Sequence, residues 1–156
     1  MNNLDKKKLD GMLDRLETEF FLNRGERWSD IERNALAVSV FVGEMANGGL
    51  NQYLLSDYNV LLIDAQRGFK KIGILDLESM WNNIIDLLRG VDLGDHYEIC
   101  DRIFEIIEEC GTEALDKIER PFWKIYPTQF NSDWFTAHIL AYLNSGKQHQ
   151  YRGTGK

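Results

Sequence analysis

Apolar residues in this chain recur at every third or fourth position almost throughout, and nowhere do they alternate with polar ones over a useful length. A strand buries every second side chain, whereas a helix buries a face that returns about every 3.6 residues, so this spacing disfavours a sheet and asks for helices. Leu9, Leu13, Leu16 and Phe20 step by 4, 3 and 4, which predicts an amphipathic first helix. Ser29-Asp30-Ile31-Glu32 is a capping box, in which the Ser and Glu side chains each satisfy the other's orphan N–H. It opens a long helix through Ile31, Ala35, Val38, Val42 and Met45. Asn47-Gly48-Gly49 ends that helix, with Asn47 and Gly48 expected in the left-handed region, and a shorter helix follows near Leu50 to Leu55.

Leu61, Ala65, Phe69 and Ile72 form the inward face of the next helix, closed by Gly73. Asp76 is the expected N-cap of a helix that buries Leu77, Trp81, Ile84 and Leu88 and ends at Gly90. Asp95 begins another, ended by Gly111, and Thr112 is expected to cap a helix that Pro121 and Pro127 terminate or bend. Both prolines fall in Pro121-Phe-Trp-Lys-Ile-Tyr-Pro127, expected as a packed irregular arm rich in aromatics. Ser132 or Asp133 starts a last helix through Phe135, Ile139, Tyr142 and Leu143, and after Gly146 residues 147–156 read as a frayed tail. The expectation is one all-α domain over residues 1–146, with about seven or eight helices and no repeat or linker.

A chain of 156 residues buries a sufficient core without disulfides or metals. Cys100 and Cys110 lie in one predicted helix, about 15 Å apart along its axis and beyond disulfide reach, so both are expected as reduced thiols. No apolar run approaches the roughly 20 residues that span a bilayer, and Lys6-Lys7-Lys8 leads into Leu-Asp-Gly rather than an apolar stretch. A cytoplasmic protein with no membrane partner is the expectation.

Charge is distributed unevenly. Ten carboxylates lie between Asp92 and Glu119 against two cations, Arg102 and Lys117, so this segment alone carries about −8 in a chain whose net charge is −7. On a helical wheel Ile99, Cys100, Ile103, Phe104, Ile106, Ile107 and Cys110 group as a core arc, opposite Glu98, Asp101, Glu105, Glu108 and Glu109. Like charges at three- and four-residue spacing cost a few tenths of a kcal/mol per pair, and Glu108 and Glu109 sit at the negative end of the helix dipole. From position 98 to 109 the row spans about 16 Å, one carboxylate per roughly 3 to 4 Å, near the charge spacing of one DNA strand. With no basic stripe to bind phosphate, direct nucleic-acid binding is not expected, which leaves a basic protein, a small molecule or a second copy of the chain as the partner.

Glu44-Met-Ala-Asn47-Gly48-Gly49-Leu-Asn-Gln52-Tyr53, followed by Lys71-Ile72-Gly73, resembles the pattern of the DNA mimic protein nineteen-like family of bacterial helical proteins: an acidic residue, then N-G-G-hydrophobic-x-Q-aromatic, then a helix ending in hydrophobic-Gly. The resemblance covers roughly residues 35 to 90. It implies an all-helical fold and no assigned reaction, and for at least one member an acidic surface that engages a helix-turn-helix transcription regulator and displaces it from DNA. The chain departs from the pattern after Tyr53, where Leu54-Leu-Ser-Asp-Tyr-Asn59 is shorter and more apolar than the family's small-polar loop. Read as residues, Glu44, Asn47, Gly48, Gly49, Gln52, Tyr53 and Gly73 form a structural motif, with Gln52 placed to bond the carbonyls freed at the helix end.

No GxSxG, P-loop, GxGxxG, HExxH or CxxC occurs, and none of His96, His138 and His149 has a Glu three residues before it, as helical-bundle metal sites require. His96 and Cys100 share a helix face, which reads as a satisfied buried histidine. Trp134 with His138, and Trp123 with Tyr126, read as packing pairs. The expected function is therefore a non-enzymatic acidic binding protein without metal or cofactor. Its expected partner-binding surface is Asp95, Glu98, Asp101, Glu105, Glu108, Glu109, Glu113, Asp116 and Glu119. The expected partner is a basic DNA-binding protein such as a transcription regulator, with a basic nuclease toxin or a purely structural bundle as alternatives. Apolar area at Phe122-Trp123 leaves room for a homodimer.

Overall fold

The capping box at Ser29 forms in both directions: the Ser29 hydroxyl accepts from the Glu32 backbone N–H at 3.3 Å, and the Glu32 carboxylate accepts from the Ser29 N–H at 3.0 Å. It opens the longest helix of the computed structural model, which describes residues 3–130 and 133–151, with side chains through residue 146. Among these residues there are seven α-helices and no strand. They are α1 (Asn3–Asn23), α2 (Asp30–Leu55), α3 (Leu62–Lys71), α4 (Glu78–Leu87), α5 (His96–Cys110), α6 (Glu113–Ile125) and α7 (Asp133–Tyr151). A 3-10 turn, Asp57–Leu61, leads into α3, and a π turn, Tyr126–Phe130, follows α6.

Helix α2 is the axis of the fold. Residues 34 to 38 are buried without interruption, the mark of a helix surrounded on all sides, and α1, α3, α5, α6 and α7 all pack on it. At its middle the Phe41 ring lies 4.7 to 5.9 Å, centroid to centroid, from Tyr53, Trp81, Phe69 and Phe122. One aromatic cluster thus joins α2, α3, α4 and α6. The α2–α3 contact is close because residue 68 is glycine: a Cβ there would fall 2.5 Å from Val38 Cγ2 and 2.8 Å from the Asn34 carbonyl. From α7 the Tyr142 hydroxyl accepts from Asn34 Nδ2 at 3.0 Å.

Four local expectations are corrected. Asp76 does not cap α4, because the fully buried Leu77 holds the N-cap position with no side-chain cap. Thr112 stands at the N-cap of α6 in helical backbone, so its carbonyl accepts from Asp116 N–H at 3.0 Å while its hydroxyl makes no capping bond. Pro121 does not end α6, which continues to Ile125. An interior proline costs about 3 kcal/mol. The adjacent Phe122, fully buried, offsets much of that, since burying a large apolar side chain contributes about 1.5–3 kcal/mol. The expected irregular arm is thus helical, and Pro127 lies in the π turn. Finally, α7 passes Gly146 and runs to Tyr151, because that glycine is a packing contact: a Cβ there would sit 3.1 Å from Ile31 Cδ1. Ser132 and residues 152–156, which belong to the expected helix start and frayed tail, lie outside the described residues.

Candidate functional site

Asp95 fixes the start of α5, its Oδ1 accepting from the N–H groups of Tyr97 at 2.9 Å and Glu98 at 3.2 Å. Gly111, at φ 69°, ends it. Ile99, Cys100, Ile103 and Ile106 are buried, and Glu98, Asp101, Glu105, Glu108 and Glu109 are all exposed on the other side. Glu98 accepts from the Asp92 N–H at 2.9 Å, and Arg102 meets Glu105 at 3.3 Å. Asp101, Glu108 and Glu109 make no hydrogen bond or ion pair among the described residues, and the last turn of α5 contains no cation. Two members of the expected core arc point elsewhere. Phe104 is 58% exposed, since about 100° per residue puts it about 130° from the mean direction of Ile99, Ile103 and Ile106. Cys110 is exposed because it is the last residue of α5, beyond the part of the helix the core covers.

Glu113 and Asp116 stand exposed in the first turn of α6, at the dipole's positive end, with Lys117 3.9 Å from Glu113. Glu119 was expected in the same outward series and instead turns in. Its Oε2 accepts from the Leu50 backbone N–H at 2.6 Å and its Oε1 from the Trp123 indole N–H at 2.6 Å. Both oxygens are engaged inside the protein, so the outward series stops at Asp116.

Leu50 is where α2 resumes after a kink. Gly48 (φ −163°, ψ 17°) and Gly49 (φ 73°, ψ −165°) leave the helical region, and the N–H groups just beyond lose their intrahelical acceptors. Glu119 supplies one from across the fold. The Gly49 backbone is in a region essentially restricted to glycine, and a Cβ there would lie 2.5 Å from Glu119 Oε2. The left-handed residue is therefore Gly49. Asn47 keeps helical dihedrals and Gly48 leaves them at negative φ, because the chain leaves one helical segment and enters another instead of closing off. Gln52 does not bond freed carbonyls: its Nε2 donates to Glu44 Oε2 at 2.9 Å, strapping the two segments together from the solvent side. Tyr53 is fully buried, its hydroxyl donating to the Tyr58 carbonyl at 3.4 Å, and burial pushes its pKa up. Gly73, at φ 86°, closes α3 while the Ile74 N–H reaches back to the Phe69 carbonyl at 2.9 Å. Asn47 is exposed and makes no side-chain hydrogen bond among the described residues.

The family model for DMP19-like protein matches residues 26–145, from just ahead of the capping box into α7. The chain belongs to the DMP19-like protein family. No curated protein and no solved structure matches it. DMP19-like proteins are not a known enzyme family. The match takes in the kink, α5 and the acidic start of α6, and leaves out α1.

One arrangement in this DMP19-like protein has the composition of a catalytic site. Cys100 Sγ lies 3.6 Å from His96 Nε2 and 3.6 Å from Asn59 Nδ2, and His96 Nδ1 lies 3.2 Å from Asn59 Oδ1. Nucleophilic chemistry needs a thiolate. Here burial pushes the Cys100 pKa up, and Asp101 and Asp57 add to it against the Asn59 hydrogen bond. The set is a polar network beneath the α5 N-terminus, and His96 is half-buried, with Asp57 3.9 Å away as a further neighbour. His96 also borders a cleft of about 540 Å³ with Arg24, Arg33 and Tyr97. Arg33 is already engaged there, 3.7 Å from Asp64 and donating to the Arg24 and Gly25 carbonyls. Among the described residues no three His, Cys, Asp or Glu side chains could hold a metal, and no helix is long and apolar enough to cross a membrane. His138 is half-buried, its ring centroid stacked 3.7 Å from that of Trp134. At the position expected to offer apolar area, Phe122 faces the core, while Trp123 is 38% exposed and donates its indole N–H to Glu119.

Proposed function

We propose that this DMP19-like protein is a non-enzymatic binding protein whose α5 face, continued by Glu113 and Asp116, occupies the DNA-contacting surface of a basic protein, such as a helix-turn-helix regulator. The observation that carries the reading is the row Asp101, Glu105, Glu108 and Glu109: four exposed carboxylates, three without any partner among the described residues, on a helix whose last turn lacks a cation. Left to helix stability alone, this arrangement is unfavourable, since neighbouring like charges and carboxylates at the C-terminal end each cost a few tenths of a kcal/mol or more. A basic surface removes that cost on binding. The charge spacing approximates that of a phosphate strand, and the isoleucine face behind it holds the row rigid.

Immobilised protein should retain DNA-binding proteins at low salt and release them both in a shallow salt gradient and on addition of duplex DNA, because the two ligands compete for one surface. The variant D101K/E105K/E108K/E109K should retain none of them. Unchanged capture by that variant, or capture that duplex DNA does not reverse, would sink the reading. Inhibition of a nuclease without release by an operator duplex would identify the partner as a nuclease instead.

A further inference from the structure

The outward face of α5 is not purely acidic. Tyr97 is 76% exposed and Phe104 58% exposed, and they stand seven residues apart on the helix. Asp101 falls between them and Glu108 follows, giving the series 97, 101, 104, 108. At about 100° per residue these four side chains lie within an arc of about 60°. Aromatic and carboxylate therefore alternate along one stripe, and both carboxylates lack a partner among the described residues. A solvated acidic face does not need a phenylalanine, and a replica of phosphates alone does not need one either.

We propose that this stripe is the docking line for a helix that presents arginines, each guanidinium stacking on Tyr97 or Phe104 while pairing with Asp101 or Glu108. The proposal rests on the binding reading above and names the side chain that the partner supplies. Charge complementarity fixes the sign of the occupant, and the aromatic rings select between the two basic residues. A guanidinium is planar and weakly hydrated, so it can lie on a ring face and still form a forked pair with a carboxylate beside it. A lysine ammonium is compact and strongly hydrated, and does the first poorly and the second without the fork. Tyrosine and arginine are also the residue types that concentrate binding energy at protein interfaces. The rise from Tyr97 to Phe104 is about 10.5 Å, close to two turns, so one face of a partner helix meets both rings.

The test uses the full chain and two synthetic alanine-based helices, one with four arginines on one face and one with four lysines at the same positions, followed by fluorescence anisotropy. The arginine helix should bind roughly ten-fold more tightly than the lysine helix. Y97A/F104A should remove that preference while retaining binding of the lysine helix, and D101N/E108Q should weaken both. Equal binding of the two helices, absence of binding, or an arginine preference that survives Y97A/F104A each overturns the proposal. Capture of DNA-binding proteins that is lost in the charge-reversal variant but unchanged in Y97A/F104A overturns the stripe and leaves the DNA-mimic reading standing. Circular dichroism and thermal unfolding of each variant separate loss of binding from loss of fold.

Discussion

Glu119 caps Leu50 from another helix: its carboxylate oxygen lies 2.6 Å from a backbone nitrogen 69 positions earlier in the chain. The other oxygen takes the Trp123 indole N–H, so one side chain links the kink in α2 to the surface of α6. Replacing Glu119 with Ala leaves a part-buried N–H without its acceptor and should lower stability by about 1–3 kcal/mol, read as a shift of the urea midpoint. Glu119→Gln keeps an acceptor of the same length and should cost less. Neither change should weaken binding to a basic partner. A drop in affinity with unchanged stability would return Glu119 to the binding surface.

Gly49 is required twice at the same place. Alanine there must hold φ 73° with ψ −165° and must also displace the Glu119 carboxylate. Backbone strain of this kind costs about 1–3 kcal/mol before the collision is counted, so Gly49→Ala should destabilise by more than about 3 kcal/mol in chemical denaturation. The double change Gly49→Ala with Glu119→Ala should be less damaging than the sum of the two, because the collision disappears while the strain remains. Gly48→Ala should cost less than Gly49→Ala. Its φ of −163° avoids the strain of a positive φ, so the cost is confined to a Cβ that would lie 2.8 Å from Gln52 Cβ and must push that residue aside.

These two residues also mark where sequence reasoning stops. The capping box at Ser29, the Asp95 cap and the glycine ends at Gly73 and Gly111 were legible because each is decided within a turn or two of chain, whereas α4, read to Gly90, stops at Leu87 with Leu88 as its C-cap. The helices were legible because core-facing residues such as Leu16, Val38 and Ile103 recur with the helical period. Glu119 was not, since nothing near position 119 encodes a partner at position 50, and it was counted by charge with the outward carboxylates. Pro121 was misread because a helix breaker was weighed without the burial of Phe122 beside it. Phe104 was misread because residue type was allowed to outweigh angle: its position on the wheel already placed it away from the isoleucines.

The corner between α1 and α2 should set part of the acid sensitivity. Arg15 pairs with Glu32 at 2.8 Å and Glu19 at 3.0 Å, and Trp28 donates to the second oxygen of Glu19 at 2.7 Å. The Trp28 and Arg15 hydrogen bonds hold the Glu19 pKa below the ordinary value. For Glu32 burial acts upward, but the bonds from Arg15 and Ser29 outweigh it and the pKa is again lowered. A folded-state pKa below the unfolded one gives stability that is complete above the unfolded value of 4.5 and is lost as pH falls through the folded value. Arg15→Met and Glu32→Gln should therefore flatten the fall in thermal midpoint below about pH 5, and Glu32→Gln should lower the neutral-pH stability by about 1 kcal/mol through the capping box. A slope on the acid side that neither variant changes would place the sensitivity elsewhere. Asp64 acts in the opposite sense: burial raises its pKa against the pull of Arg33, so its contribution weakens as pH rises through that window.

The two cysteines give a direct test of how α5 is seated. Cys110 is exposed at the helix end, whereas Cys100 is buried beside Ile99 and Ile103, with burial raising its pKa. Thiol modification proceeds through the thiolate and requires access, so Cys100 is disfavoured by its burial and raised pKa and Cys110 is open to reagent. At neutral pH an aromatic disulfide reagent should therefore consume one thiol quickly and the second only at the rate at which α5 opens from the core. Reversing Glu108 to lysine should leave the slow phase unchanged, because among the described residues that side chain makes no hydrogen bond or ion pair that holds the helix down. Ile103→Ala should accelerate the slow phase markedly, since it removes a fully buried side chain from the interface that covers Cys100. Two fast thiols in the unmodified protein would mean that the isoleucine face is not packed as described, and the rigidity that the carboxylate row requires for binding would go with it.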